Sequence, residues 1–393
     1  MNKVAVPTKS KVVLLVIDGL GGLPKEGKTE LEKASTPHLD ELAKKGISGM
    51  TDPVGRGVTP GSGPAHLALF GYDPLEFEIG RGALAAAGIG FELGPDDLAA
   101  RINFATVDKE GKITDRRAGR ISSEKNKELC LLLEKIKTED AELFVKTVKE
   151  HRAVLIFRGA GLSDELNDSD PQVTGVPPRV VEALSAKAEK AARVVNNFLR
   201  QAEEILKEHA PANMILLRGF AQHPRLPSLE EIYRLRPAAI AAYPMYRGIA
   251  RLVGMEILTT GEKIEEEFQT LKDNFHSYDF FYLHIKGSDS AGEDGDFQRK
   301  VRVIEEVDRN IPILTDLCPE AIAVTGDHST PAVLKAHSWH AVPFLLSSPW
   351  CRPDGGERFS EEACSRGSLG RFPALEVMPL LMAHGRKLAK YGA

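Results

Sequence analysis

Acidic side chains and histidines directly follow three short apolar runs of the chain. Asp18 follows Val12–Ile17, Asp289 comes shortly after Phe280–Ile285, and Asp327 with His328 comes just after Ala321–Thr325. A single Asp after a strand usually forms a turn or caps a helix. Carboxylates that converge from distant parts of a chain repel one another unless a cation lies between them. Three such strand ends therefore favour a cation site.

The second and third of these places carry additional potential ligands. The acidic run Asp289–Asp296 includes Glu293, and two further histidines, His337 and His340, follow His328. The acidic run taken alone also fits a solvated loop. Carboxylates and neutral imidazoles together suit Mn²⁺, Zn²⁺ or Mg²⁺. The set is too large for one ion and suits two.

Ser62 is the candidate nucleophile. It lies between two glycines in Gly61-Ser62-Gly63-Pro64, and the proline favours the first turn of a helix. A helix N-terminus favours an anion beside the serine, and a divalent ion can lower the pKa of its hydroxyl. An ordinary serine cap is the alternative. His66, four residues on, is interpreted as a packed core histidine rather than a partner of Ser62.

The elements that must position these residues alternate between strands and helices. Short apolar runs predict strands at Val12–Ile17, Asn103–Val107, Ala153–Phe157, Met214–Leu217, Phe280–Ile285, Ala321–Thr325 and Val342–Leu346. Helices are predicted at Thr36–Lys45, Ala65–Phe70, Ser123–Ile136, Pro178–His209, Glu262–Phe275 and Phe297–Leu317. In the last helix, a face with Lys300, Val301, Val303, Ile304 and Val307 should pack on the sheet. Alternating elements indicate a largely parallel sheet, whose ligands bind beyond the carboxyl ends of its strands.

The composition excludes some classes of function. The 51 Lys and Arg residues against 56 Asp and Glu residues give a net charge of −5, so no global positive field would collect nucleic acid or a membrane surface. The run Val12–Ile17 is too short for a signal or membrane segment. Four scattered cysteines without a C-x-x-C pair indicate a reducing, cytoplasmic setting. The oligomeric state is left open.

Arginines distinguish the middle of the chain from its flanks. They cluster in loop-like stretches such as Asp115–Arg120, and the region ends in a Pro-rich run, 224–244. We therefore predict one domain formed by residues 1–80 and 239–393, interrupted by an inserted domain, residues 81–238.

Several motifs, in a fixed order along the chain, resemble those of a known family. They are Val16-Ile17-Asp18-Gly19-Leu20-Gly21, Ser35-Thr36-Pro37-His38-Leu39-Asp40, Thr59-Pro60-Gly61-Ser62, Leu69-Phe70-Gly71-Tyr72-Asp73-Pro74, His284-Ile285-Lys286-Gly287-Ser288-Asp289 and Thr325-Gly326-Asp327-His328-Ser329-Thr330-Pro331. Together they resemble the archaeal-type 2,3-bisphosphoglycerate-independent phosphoglycerate mutases of the alkaline-phosphatase superfamily. The resemblance spans nearly the whole chain. It implies an α/β fold whose mostly parallel sheet is sandwiched by helices and interrupted by a smaller α/β lid domain.

The resemblance also implies how two divalent ions are held. One would be bound by Asp18, Ser62, Asp327 and His328, the other by Asp289, Glu293 and His337. The family commonly has His at the position of Glu293, and a carboxylate there should shift the preference toward harder ions. His340 falls where the pattern needs no ligand, so a supporting role is expected.

The implied reaction interconverts 3-phosphoglycerate and 2-phosphoglycerate in glycolysis and gluconeogenesis through a phosphoserine on Ser62. Glycerate must be retained between the two phosphoryl transfers, and an inserted lid bearing cations would retain it. The candidate substrate-binding residues are Arg116, Arg117, Arg120, His151, Arg152, Arg158, Asp170 and Lys286. The alternatives are an ATP-dependent homoserine-type kinase, although no Walker motif is present, and a metal-dependent phosphatase.

Overall fold

The computed structural model describes residues 1–138 and 140–392. The chain divides into two compact units, one formed by residues 1–78 and 226–393 and the other by residues 79–225. The second boundary falls earlier than the expected 238/239. A helix at Leu229–Tyr233 and a strand at Pro237–Ala241 both belong to the first unit. The Pro-rich run therefore crosses the boundary rather than ending at it.

The strands and helices of both units are numbered together in chain order. In chain order the strands are β1 Val12–Ile17, β2 Ile47–Asp52, β3 Asp97–Val107, β4 Ile113–Asp115, β5 Glu142–Lys149, β6 Arg152–Arg158, β7 Met214–Ala221, β8 Pro237–Ala241, β9 Glu256–Leu258, β10 Phe280–Ile285, β11 Ala321–Thr325, β12 Val342–Ser347 and β13 Gly370–Pro373. The helices are α1 Glu30–Lys33, α2 Pro37–Lys45, α3 Ser62–Leu69, α4 Arg81–Gly88, α5 Ser123–Leu133, α6 Glu189–Leu206, α7 Leu229–Tyr233, α8 Pro244–Leu252, α9 Ile264–Asn274, α10 Gly287–Asp294, α11 Phe297–Thr315, α12 Glu361–Cys364 and α13 Val377–His384. Every predicted strand is present.

The first unit is built on an eight-stranded sheet with the order β13-β2-β12-β11-β1-β10-β8-β9. The strands β11, β1, β10, β8 and β9 run parallel, whereas β12 is antiparallel to both of its neighbours. In register, Ile17 lies opposite Ile285 and Val16 opposite Thr325. The carboxyl ends of β1, β10 and β11 therefore meet at one edge of the sheet.

Apolar side chains cover both faces of this sheet. All six residues of β1 are fully buried, as expected for a central parallel strand with helices on both faces. The helix α11 buries Val301, Ile304 and Val307 against one face, as predicted, whereas Val303 is only half-buried. The core thus fixes the strand ends from which the loops at the sheet edge depart.

The second unit has an antiparallel sheet with the order β4-β3-β6-β5, and β7 pairs with β3. The helices α5 and α6 pack on it through a separate core. The helix predicted over 178–209 is wrong in its first part, because 178–188 holds no α-helix and α6 begins at Glu189. Backbone amides of this segment bond to residues 165–169 instead, Arg179 to the carbonyl of Ser169 and Leu184 to that of Glu165.

Candidate active site

The buried centre of the site lies at the carboxyl edge of the first unit's sheet. Asp18 follows β1, Lys286 follows β10, and Asp327 follows β11 after one glycine. The parallel registers bring these three residues side by side although they are far apart in sequence. Asp18 and Asp327 are both fully buried. Two carboxylates in one buried place need positive charge to be stable.

The first cluster of potential metal ligands consists of Asp18, Asp327 and His328. The His328 Nε2 atom lies 3.4 Å from Asp18 Oδ1 and 3.1 Å from Asp327 Oδ2. Ser62 Oγ lies 3.2 Å from the same nitrogen. At the start of α3 no side chain makes a capping hydrogen bond, so the serine-cap alternative does not hold. The Ser62 hydroxyl instead faces the cluster.

The second cluster consists of Asp289, His328 and His337. His337 Nε2 lies 3.5 Å from Asp289 Oδ1, and the imidazole rings of His328 and His337 stack with centroids 3.6 Å apart. His337 Nδ1 donates to the carbonyl of Pro60 at 3.0 Å. That hydrogen bond leaves the lone pair of His337 on Nε2, facing Asp289.

Thr330 fixes the tautomer of His328 in a similar way. Its hydroxyl donates to Asp289 Oδ1 at 2.7 Å and so accepts from His328 Nδ1 at 2.9 Å. The lone pair of His328 therefore lies on Nε2, where Ser62 and the two carboxylates converge. Both histidines therefore direct Nε2, rather than Nδ1, toward the carboxylates of the site.

The unsatisfied atoms of this centre fit a divalent cation. Among the described residues, Oδ1 of Asp18 and Oδ2 of Asp327 are buried without a hydrogen-bond partner, whereas Oδ2 of Asp18 contacts Lys286 and His284. Burial opposes ionisation of Asp18, yet Lys286 and His284 outweigh it and hold its pKa well below the usual range. Burial and the charge of Asp18 raise the pKa of Asp327. This conflict between neighbouring carboxylates is what a bound cation would relieve.

Lys286 lies between the two clusters. Its Nζ is 3.0 Å from Asp18 Oδ2 and 2.5 Å from Asp289 Oδ2. Burial opposes its charge, but these two carboxylates raise its pKa above the usual range. The ammonium group therefore stays charged and brings positive charge to the centre of the site.

Two histidines of the first unit lie behind this centre. His66 is fully buried, and its Nδ1 donates to the carbonyl of Ser62 at 2.8 Å. Burial lowers its pKa to about 3, so the ring is neutral. It packs against Phe70 and Tyr246, the arrangement of a core histidine. His284, within β10, lies 3.3 Å from Asp18 Oδ2. The sequence did not predict it as a site residue, because a histidine inside an apolar strand does not stand out.

Glu293 and His340 belong to neither cluster of the described residues. The acidic segment that also fitted a solvated loop is the helix α10, and Glu293 lies one turn after Asp289 with its side chain exposed. His340 is half-buried, bonds to the Ser338 hydroxyl through Nδ1 and stacks on Trp339.

A buried lysine supports the loops that carry the ligands. Lys300, on α11, is completely buried and donates to the carbonyls of Gly21 and Thr330, each at 2.9 Å. Glu30 lies 3.9 Å from its Nζ and accepts from the backbone amide of Ala332. The lysine therefore joins the loop after β1 to the loop after β11. The sequence hint of this role is that Lys300 falls on the apolar face of the predicted helix.

Most substrate-binding candidates of the second unit fall into two groups. Arg117, Arg120 and Arg152 lie around the buried His151, whose pKa is lowered to about 3 by burial and then by these positive charges. Arg116 forms a two-pronged pair with Asp170, with distances of 2.9 and 2.7 Å.

Arg158 lies apart from both groups. It pairs with Asp97 at 2.7 Å and stacks over the rings of Phe91 and Phe144. These contacts are those of a side chain that holds the second unit together.

Fold and site together define an α/β enzyme with a serine beside a buried cluster of potential metal ligands. A family model described as 2,3-bisphosphoglycerate-independent phosphoglycerate mutase matches residues 43–213. A probable mutase of this name from Thermosipho melanesiensis is 51% identical over 100% of this chain and 98% of its own length. One from Thermus thermophilus is 49% identical with the same coverage. The chain belongs to the family of 2,3-bisphosphoglycerate-independent phosphoglycerate mutases.

Solved structures agree with this assignment. A Pyrococcus horikoshii protein aligns with a TM-score of 0.85 at 31% identity, over 98% of this chain and 100% of that one. The cofactor-independent phosphoglycerate mutase of Thermoplasma acidophilum aligns with a TM-score of 0.71 at 31% identity, over 95% and 100%. The predicted family, its isomerase class and the α/β fold are confirmed. In the part of the chain that is described, no helix is long and apolar enough to cross a bilayer.

Proposed function

We propose that this chain interconverts 3-phosphoglycerate and 2-phosphoglycerate without 2,3-bisphosphoglycerate, through a phosphoserine on Ser62. The observation that carries the proposal is the position of Ser62 Oγ, 3.2 Å from the unprotonated nitrogen of His328 beside two buried carboxylates. The relatives that share the whole length of the chain bear the name of this activity. A serine that makes no capping bond at its helix start is available for chemistry.

Two divalent ions, Mn²⁺, Zn²⁺ or Mg²⁺, belong to the same proposal. Asp18, Ser62, Asp327 and His328 would hold one, and Asp289 and His337 the other, with Glu293 able to join only if its exposed side chain turns inward. Bound ions would lower the pKa of the Ser62 hydroxyl and neutralise phosphate oxygens. The orphaned oxygens of Asp18 and Asp327 support this assignment.

The residues of the chain then act as follows. Ser62 Oγ forms the new bond to phosphorus while the bond from phosphorus to the glycerate oxygen breaks. The proton lost by Ser62 ends on that departing oxygen. In the second half, the other hydroxyl of glycerate takes the phosphoryl group, and its proton returns to Ser62. Lys286 balances the phosphate charge in both halves, and His66 fixes the Ser62 backbone through its carbonyl.

Residues 79–225 supply substrate retention in this proposal. The arginines around His151 bring several positive charges to one place, so they suit the carboxylate or phosphate of the substrate. Arg116 and Asp170 already neutralise each other, which leaves them to orient a hydroxyl group rather than to bind charge. A cytoplasmic setting is also proposed, and the four cysteines, all free thiols, support it.

The decisive experiment incubates Mn²⁺-loaded protein with 3-phosphoglycerate in the absence of ATP and 2,3-bisphosphoglycerate, followed by phosphorus NMR. We expect 2-phosphoglycerate with little free phosphate. Free phosphate alone would show a phosphatase, and an absolute requirement for ATP would show a kinase. Rapid acid quenching followed by peptide mass spectrometry should find the phosphoryl group on Ser62.

A further inference from the structure

A cavity of about 610 Å³ lies at the amino edge of the first unit's sheet, at the opposite ends of the strands from Ser62. Lys11 directly precedes β1, Arg236 precedes β8, and Asp279 precedes β10, and all three line the cavity. Arg234, Lys9 and His276 complete the set of charged or titratable side chains in its walls. Its volume falls in the range of small-molecule sites.

Positive charge in this cavity exceeds negative charge. Asp279 is the only acidic side chain among the described residues of the wall. Its Oδ1 already accepts from the backbone amide of Arg236 at 2.8 Å, and the residue is almost fully buried. The guanidinium groups of Arg234 and Arg236 form no ion pair with any described carboxylate, and both side chains are exposed to the cavity.

Two of the cations near the cavity are held in place by the fold rather than by solvent. Lys387 is 1% exposed, and its Nζ contacts Thr8, at 3.3 Å from the hydroxyl and 3.5 Å from the carbonyl. Lys11 Nζ donates to the carbonyls of His276 and Tyr278. Burial lowers the pKa of both lysines, Asp279 opposes this, and Arg236 lowers both further. A buried ammonium facing other cations is costly unless an anion joins them.

The backbone also presents Arg234 at a fixed position. This residue ends α7 in the left-handed region with φ of 54°, where its amide donates to the carbonyl of Glu230. A residue with a Cβ adopts that conformation only at an energetic cost. The side chain thus leaves the helix end toward the same cavity as Arg236, two residues on.

We propose that this cavity binds a small polyanion that carries two phosphate groups, or one phosphate and one carboxylate. Two guanidinium groups can each bind a phosphate through paired hydrogen bonds, and Lys11 adds a point charge. The volume exceeds the need of a single phosphate. The net charge of −5 does not favour an extended nucleic acid as the ligand.

The test uses the full chain, dialysed into a buffer without added metal, and pyrophosphate as the probe in isothermal titration calorimetry. In the variant Arg234→Ala/Arg236→Ala, the affinity for pyrophosphate at this cavity should fall about tenfold or more. The matched double variant Arg117→Ala/Arg120→Ala removes two arginines from the second unit and should keep the wild-type affinity at the cavity. Arg302→Ala, at an exposed position elsewhere in the first unit, should behave as wild type.

Thermal unfolding provides a second measurement. Pyrophosphate should raise the Tm of the wild type and of Arg302→Ala but change that of Arg234→Ala/Arg236→Ala less, because a ligand stabilises only the folded state that binds it. Arg234→Lys/Arg236→Lys keeps the charge and should recover part of the binding. Equal binding by the alanine double variant, or no binding by the wild type, would overturn the proposal. No substrate turns over in these assays, so their outcome is independent of the mutase activity.

Discussion

The two ends of the same parallel strands carry opposite charge. At the carboxyl edge, Asp18 and Asp327 meet beside Lys286 and His328, and buried carboxylate oxygens remain without a partner among the described residues. At the amino edge, Lys11 and Arg236 line a cavity whose described walls hold a single carboxylate. Strand register brings distant residues together equally well at both edges. What differs is the sign of the charge that each edge leaves uncompensated.

This difference shows which edge suits a cation and which suits an anion. The carboxyl edge has orphaned carboxylate oxygens and unprotonated imidazole nitrogens, and the amino edge has guanidinium groups facing a cavity. The net charge of −5 reveals neither local charge, because it is a sum over regions of opposite sign. Substitutions at each edge test this difference in charge.

The largest effect is expected for Ser62→Ala. Loss of the nucleophile should reduce mutase turnover by about 10³-fold or more, while circular dichroism and Tm remain those of the wild type. A coupled assay of 2-phosphoglycerate formation measures the rate. Arg236→Ala, at the other edge, serves as the control and should keep the wild-type rate. Turnover above about a percent of wild type in Ser62→Ala would refute the role of the serine.

A pair of buried lysines compares the edges directly. Lys300→Met removes the donor to the carbonyls of Gly21 and Thr330, so we expect Mn²⁺ affinity to fall about tenfold and stability by about 3 kcal/mol. Lys387→Met removes an ammonium group whose charge is opposed by burial and by Lys11 and Arg236, and favoured only by Asp279, so stability should stay equal or rise. Calorimetric Mn²⁺ titration and urea unfolding measure both. Equal losses in the two variants would contradict the comparison.

His337→Ala tests the second ligand cluster within the carboxyl edge. The protein should bind one Mn²⁺ per chain instead of two, because Asp289 would lose a neighbouring imidazole. His340→Ala is the matched control, since this histidine contacts Ser338 and Trp339 rather than a carboxylate. Metal analysis after gel filtration gives the stoichiometry. Two ions in both variants would remove His337 from the ligand set.

Glu293→His tests whether the exposed glutamate takes part at all. If Glu293 turns inward as a ligand, the histidine should raise the Zn²⁺ or Mn²⁺ affinity relative to Mg²⁺ by about tenfold, since imidazole suits the softer ions. Competition titrations among the three ions measure this ratio. Asp294→His, at the next exposed acidic position of α10, is the control. An unchanged ratio would show that Glu293 is not a ligand.

The smallest effect concerns Glu267, a buried carboxyl of α9. Burial raises its pKa to about 8, although the hydrogen bond from the Ala242 amide opposes this. The folded state therefore holds a proton that the unfolded state releases above about pH 4.5, and this contribution to stability is lost as pH rises toward 8. Relative to the wild type, Glu267→Gln should gain stability between pH 4 and pH 8.5, because the glutamine has no proton to lose in this range. Urea unfolding at both pH values measures the difference, and a constant difference would contradict the raised pKa.

The parts of the site that sequence predicts are those fixed by strand register. Asp18 and Asp327 each follow a buried apolar strand, so their meeting follows from a parallel sheet. Residues inside regular elements were harder to predict. His284 lies within an apolar strand, and Lys300 reaches the loops from a helix, and only tertiary packing decides what such side chains touch.

Two local readings of the sequence differ from the structure. The acidic residues 287–294 form a helix rather than a solvated loop, because α10 packs against α11 and against the loop that carries Thr330. The segment 178–188 resembled a helix in composition, but the amides of Arg179 and Leu184 bond to the carbonyls of Ser169 and Glu165 instead. In both cases tertiary contacts outweighed the local pattern.

The position of β1 in the sheet determines when the site can form during synthesis. Its neighbours β10 and β11 are both made late in synthesis, and the amide of Gly19 bonds to Asp327 across 308 positions of the chain. An unfinished chain holds the serine and the first aspartate but no partner for either. Pairing across such distances is slow, since loop closure precedes the contacts that stabilise it. The proposed phosphoryl transfer can therefore begin only when the last third of the chain has folded onto the first strand, so a half-made chain cannot act on phosphate esters at that serine.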